Sequence, residues 1–101
     1  MEYKIYISED EPPILRDIIH KIESMGLGFQ IVGHAANGED AYKEIIALRP
    51  DLVITDIRMP VLDGLALIQM VKSDFPDMMC LILSGFKDFE YARQALKLGV
   101  D

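Results

Sequence analysis

The sequence predicts an α/β fold in which a parallel β-sheet is covered by helices on both faces. Four apolar runs alternate with four segments of helical periodicity, and the runs begin about 25 residues apart. The third and fourth runs are almost continuously apolar, which is typical of parallel strands buried on both faces. Because helical connections between parallel strands are normally right-handed, the alternation indicates one sheet between two helical layers.

The four predicted strands differ in pattern. They cover residues 3–8, 28–36, 51–55 and 78–83. The first (YKIYIS) alternates and is rich in β-branched and aromatic residues, whereas the second (GFQIVGHAA) is the weakest. The third and fourth read DLVIT and MMCLIL. The single Cys80 lies in the fourth, where we expect a small buried hydrophobic residue.

A predicted helix follows each strand. Prolines fit the first turn of the first helix, and Gly26 is its expected stop. Asn37 is a good N-cap for the second helix, which Pro50 closes, and Pro76 stops the third. Gly99 stops the fourth. The first helix carries an apolar stripe at steps of three and four, formed by Ile14, Leu15, Ile18, Ile19, Ile22 and Met25.

Length and composition limit the function. The 101 residues fit one domain, residues 1–101. No apolar run approaches the roughly 20 residues that span a bilayer, and the first residues do not resemble a signal peptide, so a cytoplasmic location is expected. The net charge of −7 argues against direct contact of this segment with nucleic-acid phosphates. It suits a domain that handles cations or basic partners.

Acidic and hydroxyl side chains follow three of the strands, at the edge where ligands bind in open α/β sheets. Glu9 and Asp10 follow the first strand, Asp56 ends the third, and Ser84 follows the fourth. If the first and third strands are neighbours, the three carboxylates converge. Carboxylates within about 4–6 Å repel each other, so we expect a cation among them, and an oxygen-only ligand set suits Mg²⁺.

This arrangement predicts phosphoryl chemistry. A carboxylate beside Mg²⁺ can attack phosphorus and form an aspartyl phosphate, and a hydroxyl on the next strand can hydrogen-bond a phosphoryl oxygen. Zinc is disfavoured, because His20, His34 and Cys80 have no ligand spacing. The chemistry also asks for a fixed cation that pairs with the phosphoryl charge.

At these residues the sequence resembles the receiver (CheY-like) domain of bacterial two-component response regulators. The likeness is carried by ISEDEP, by DLVITDIRMPVLDG around Asp56 and by LILSGFKDFEYARQALKLGVD, which together cover essentially the whole chain. It implies a flavodoxin-like doubly wound parallel sheet in the order 2-1-3-4. The stretch SGFKDFEYARQAL further resembles receivers that precede an AraC-type helix-turn-helix domain.

The resemblance implies a role for each site residue. Asp56 would be the phosphoacceptor, and Glu9 and Asp10 would hold Mg²⁺ with it. Arg58 would give its backbone carbonyl to the metal, and Ser84 would be the switch hydroxyl. Many relatives have Asp where this chain has Glu9, and the longer side chain can still reach a metal. The phosphoryl donor would be a sensor histidine kinase, and the full-length protein would carry a DNA-binding output domain.

The resemblance also implies a chain that is incomplete at its C-terminus. The fifth strand and fifth helix of the family would lie beyond Asp101, together with the lysine that pairs with the phosphoryl group. No residue of this chain is assigned to that lysine role. An uncovered fourth strand would invite pairing with another chain, so we expect a homodimer or a strand-exchanged oligomer.

Three other functions are weighed against the phosphoacceptor. The main alternative is a truncated receiver that is not phosphorylated and acts as an interaction or self-associating fragment. A phosphatase with an aspartate nucleophile resembles D-x-D-x-T after the first strand, whereas Asp56 ends the third strand and DIRMP lacks the second aspartate. A nucleotide-binding module is disfavoured, because the chain has neither G-x-G-x-x-G nor G-x-x-x-x-G-K-[ST].

Overall fold

The computed structural model describes residues 3–83, and these residues form four strands and three helices. The strands are β1 (Tyr3–Ser8), β2 (Phe29–Ala35), β3 (Leu52–Asp56) and β4 (Met79–Leu83). The helices are α1 (Pro12–Ser24), α2 (Gly38–Leu48) and α3 (Gly64–Asp74). The predicted alternation is confirmed over this range. The predicted fourth helix and Ser84 lie outside the described residues.

The sheet is parallel and has the order β2-β1-β3-β4. This is the flavodoxin-like order predicted from the sequence. The strand order reverses at β1, because β2 pairs with one edge of β1 and β3 pairs with the other edge. The C-terminal ends of β1 and β3 therefore open a crevice, which is where open α/β sheets bind ligands.

Two apolar layers hold the sheet between its helices. On one face, Tyr6, Val53 and Cys80 pack with residues of α2 and α3, including Ile45 and Leu67. The other face carries a smaller cluster with α1, formed by Ile5, Ile7, Ile22 and Ile54. The predicted burial of Cys80 is confirmed. Side chains alternate between faces along each strand, so residues two apart share a layer.

Local signals account for the helix ends. The Asn37 side chain accepts a hydrogen bond from the Asp40 N–H at 2.8 Å, which confirms the predicted N-cap of α2. The backbone of Arg49 turns to a left-handed φ of 47° directly before Pro50, and this ends α2. In the same way, Asp63 caps α3 by accepting from the Ala66 N–H at 2.9 Å.

Two expectations about burial are wrong. The α1 stripe is exposed at both of its ends: Ile14 by 43% in the first turn and Met25 by 55%. Met25 is exposed because α1 ends at Ser24 and Met25 follows as the cap, past the face that packs on the sheet. The fourth strand is not buried on both faces: Met79, Leu81 and Leu83 are exposed. Their side chains lie on the opposite face from Cys80, and among the described residues β4 has a neighbouring strand only on its β3 side.

Candidate functional site

Three carboxylates meet where β1 and β3 end. Glu9, Asp10 and Asp56 each place one carboxylate oxygen within 4.8 Å of the others. Glu9 is buried, with 4% of its surface exposed, and the other two are half-buried. The predicted convergence is therefore observed. It arises because β1 and β3 are direct neighbours, so that residues following one strand lie beside the end of the other.

Backbone N–H groups hold two of these carboxylates. The N–H of Ile57 donates to Oδ1 of Asp56 at 2.8 Å, and the N–H of Glu11 donates to Oε2 of Glu9 at 3.1 Å. Each bond comes from the turn that directly follows the strand. These bonds limit rotation of the side chains, so the pocket is partly organised without a ligand.

The electrostatics of the pocket favour a bound cation. Burial raises the pKa of Glu9 to about 7; the Glu11 N–H opposes this rise, whereas the negative charge of Asp56 and the contact with Asp10 add to it. A bound positive charge would offset the repulsion among the three carboxylates and favour the ionised form of Glu9. A compact set of oxygen ligands fits Mg²⁺ or a similar hard divalent cation.

The loop after β3 brings the chain back against the end of that strand. The N–H of Gly64 donates to the Ile57 carbonyl at 2.6 Å, which brings the start of α3 against the end of β3. A Cβ at Gly64 would lie 2.0 Å from the Asp56 carbonyl oxygen, so only glycine fits this approach. Within the loop, Val61 has a φ of 70°, a strained backbone conformation for a β-branched residue.

The other predicted site residues are placed as follows. Arg58 lies two residues past Asp56, at an exposed position of the same loop. Ser84 is outside the described residues. Sequence reasoning missed the buried hydroxyl of Ser8 and the half-buried Met59, whose sulfur accepts a hydrogen bond from it at 2.9 Å. The available signal was a hydroxyl residue at the end of an otherwise apolar strand.

Comparison with known proteins agrees with this fold and site. The family model for the response regulator receiver domain matches residues 5–101. The chain therefore belongs to the response regulator receiver domain family. Receiver domains are signalling domains of two-component systems.

Individual relatives extend the comparison. The chain is 45% identical over 98 residues to the uncharacterized transcriptional regulatory protein YesN of Bacillus subtilis (strain 168), covering 97% of this chain and 27% of that protein. It is 32% identical over 92 residues to protein-glutamate methylesterase/protein-glutamine glutaminase 3 of Hahella chejuensis, covering 89% of this chain and 26% of that protein. The chain thus spans about a quarter of the length of these two curated relatives.

A solved structure gives the same architecture. The REC domain of AraT, a response regulator from Geobacillus stearothermophilus, superposes with a TM-score of 0.93 at 31% identity. The match covers 100% of this chain and 78% of that one. In the part of the chain that the structure describes, no helix has the length and apolarity needed to cross a membrane.

Proposed function

We propose that this receiver domain accepts a phosphoryl group on Asp56 from a phosphohistidine of a sensor histidine kinase, with Mg²⁺ as cofactor. The observation that carries the proposal is the meeting of Glu9, Asp10 and Asp56 within 4.8 Å at the ends of β1 and β3. Asp56 is the only one of the three that ends a strand of the sheet, and its carboxylate is oriented by the Ile57 N–H.

The carboxylates fit a divalent cation, and each has a proposed part. Glu9, Asp10, Asp56 and the backbone carbonyl of Arg58 would hold Mg²⁺. When bound, the ion would offset the repulsion between the attacking carboxylate and the phosphoryl oxygens. Burial, together with the neighbouring Asp56 and Asp10, raises the pKa of Glu9, and a bound cation would favour its ionised form.

The chain's own residues carry the transfer. An oxygen of Asp56 attacks phosphorus, and the new O–P bond forms as the P–N bond to the donor imidazole breaks. The hydrogen bond from Ile57 keeps the carboxylate in one orientation. The hydroxyl of Ser84 is proposed to bond a phosphoryl oxygen afterwards, which would bias the surface that an output domain or partner reads.

The test is uptake of one phosphoryl group. We would incubate the chain with Mg²⁺ and acetyl phosphate, a small-molecule phosphodonor, and measure the intact mass. We expect a single added phosphoryl group on the wild type and none on Asp56→Asn. Chelation of the cation should also prevent uptake.

A matched variant controls for loss of a surface carboxylate. Asp17 is exposed and pairs only loosely with Lys21 on α1, at 3.7 Å, so Asp17→Asn should take up the phosphoryl group as the wild type does. Uptake by Asp56→Asn equal to that of the wild type would overturn the assignment of the phosphoacceptor. Uptake that persists unchanged in the presence of a chelator would overturn the role of the cation.

In the longer protein, the proposed output is transcriptional regulation by a DNA-binding domain in the cytoplasm. The name of the Bacillus subtilis relative supports a transcriptional role. The resemblance of the stretch SGFKDFEYARQAL to receivers that precede such domains supports an output domain of the AraC helix-turn-helix type. Phosphorylation of the longer protein should then change its affinity for operator DNA, and a longer protein without any DNA affinity would contradict this part.

A second candidate function is an interaction module that associates with a second copy without phosphorylation. The exposed Met79, Leu81 and Leu83 on one face of β4 favour it. Association of the chain together with no phosphoryl uptake would favour this candidate over the first.

A further inference from the structure

Two hydroxyl side chains lie beneath the acidic pocket, and both are fully buried. Ser8 ends β1 and Thr55 precedes Asp56 in β3, and the two are register partners on neighbouring strands. They point to the face that α2 and α3 cover, because Tyr6 and Val53, two residues earlier in each strand, pack in that layer. A buried hydroxyl needs a hydrogen-bond partner, since leaving it without one costs free energy.

The partner of Ser8 is a thioether. Oγ of Ser8 lies 2.9 Å from Sδ of Met59. Oγ1 of Thr55 lies 3.9 Å from the same sulfur but only 2.8 Å from the backbone oxygen of Asp56. A hydroxyl has one proton to donate, so Thr55 gives it to the nearer oxygen. Ser8 is therefore the donor to the sulfur, and Thr55 packs beside it.

We propose that Met59 is a positioning residue: its sulfur accepts from Ser8 and so ties the loop after β3 to the end of β1. Ser8 directly precedes Glu9, and Met59 directly follows Arg58. Beside the backbone pairing of β1 with β3, this hydrogen bond adds a side-chain link between the two segments that carry the pocket, and it holds their carboxylates at a separation that suits one cation. The effect on the cation rests on the proposed function, whereas the tether itself does not.

A simpler role for Met59 is packing, because its side chain also contacts the apolar layer under α2 and α3. Met59→Leu separates the two roles. Leucine keeps the volume and apolar character but cannot accept a hydrogen bond, so the buried Ser8 hydroxyl loses its acceptor. When Ser8→Ala is already present, there is no hydroxyl donor that could lose its acceptor. The same Met59→Leu change should then have little effect.

The experiment is a double-mutant cycle on Ser8→Ala and Met59→Leu. We would measure the Mg²⁺ dissociation constant by calorimetry and the unfolding equilibrium constant in urea. Met59→Leu should raise the unfolding equilibrium constant about 3- to 10-fold in the wild-type background and less than about 2-fold in the Ser8→Ala background, as expected for loss of one buried hydrogen bond. It should also weaken Mg²⁺ binding more in the first background than in the second. Equal effects in both backgrounds, or no effect in either, would overturn the proposal.

Matched controls exist elsewhere in the chain. Met70 is partly exposed on α3, and Ser24 donates to the Lys21 carbonyl at the exposed end of α1. Met70→Leu and Ser24→Ala should leave Mg²⁺ binding unchanged. A loss with these variants as large as with Met59→Leu would show that the effect is not specific to the tether, and would also overturn it.

A measurement made without cation tests the Ser8–Met59 tether separately from the proposed function. The ε-methyl resonance of Met59 can be assigned in a ¹³C spectrum by its absence in Met59→Leu. Ser8→Ala should shift this resonance, and Ser24→Ala should not. If the wild type binds no Mg²⁺, the proposed function fails, and the tether is judged by this resonance and by the unfolding cycle. A resonance that Ser8→Ala leaves in place would overturn the tether whatever the cation does.

Discussion

Glu9 is the residue whose protonation couples the acidic pocket to the stability of the fold. Burial raises its pKa from 4.5 to about 7 in the folded chain. A raised pKa means that the folded state prefers the protonated form, so this contribution to stability is fully present below pH 4.5 and is lost as the pH rises through about 7. The opposite behaviour would be expected of a carboxylate held by a cation.

We predict that the cation-free chain loses on the order of 1 to 3 kcal/mol of unfolding free energy through Glu9 between about pH 5 and about pH 8. Urea unfolding in the presence of a chelator measures this, and Glu9→Gln should remove most of the pH dependence. Glu23 is exposed on α1, so Glu23→Gln is the control and should follow the wild type. Saturating Mg²⁺ should reverse the trend. A Glu9→Gln profile parallel to the wild type would contradict the prediction.

At the scale of single residues, the sequence predicted which carboxylates meet but not how they are held. The meeting of Glu9, Asp10 and Asp56 follows from topology alone, because β1 and β3 are neighbours and both end at the same edge. The burial of Glu9 and the hydrogen bond that it accepts from the Glu11 N–H depend on the path of one turn. No periodic pattern encodes such a path, so those features are seen only in the folded structure.

The elements themselves were predicted most accurately where local chemistry is strong. The Asn37 cap and the Pro50 stop fix the ends of α2, and the Pro76 stop fixes the end of α3, each to within a residue or two. The apolar run of β4 was less informative. A continuous run favours a strand covered on both faces but does not show which segments cover them, and here Leu81 is 39% exposed.

The close approach of α3 to β3 yields a prediction for the whole element. A methyl group at position 64 would lie 2.0 Å from the Asp56 carbonyl oxygen and 3.0 Å from the Ile57 Cα, so α3 or the end of β3 must move. We expect Gly64→Ala to lower the unfolding free energy by about 3 kcal/mol and to reduce phosphoryl uptake on Asp56, because the displaced backbone carries that side chain.

The control for this prediction is a glycine where an added Cβ would meet open space. Gly26 has a φ of +63°, and a Cβ there would meet nothing within 4 Å. Gly26→Ala should cost about 1 kcal/mol through backbone conformation alone and should leave phosphoryl uptake intact. Equal losses of stability for the two variants in urea unfolding would refute the steric argument at Gly64.

At the scale of the whole molecule, the two faces of the sheet are covered to different extents. The layer under α2 and α3 is the larger and contains the fully buried Tyr6, Val53 and Cys80. On the opposite face, α1 covers β1 and part of β3, and in the described residues no helix packs over the β4 side chains Met79, Leu81 and Leu83. Apolar groups on an edge strand are a known route to association between chains.

We therefore predict that the chain associates with a second copy through β4, with an affinity that Leu81→Lys weakens by about tenfold or more, because a charge on this exposed apolar face of the edge strand opposes pairing. Sedimentation over a range of protein concentrations measures this. Met70→Lys, which places the same charge on the outer surface of α3, should associate as the wild type does. A wild-type chain that stays monomeric at every concentration and melts cooperatively would show that the face of β4 is covered in another way.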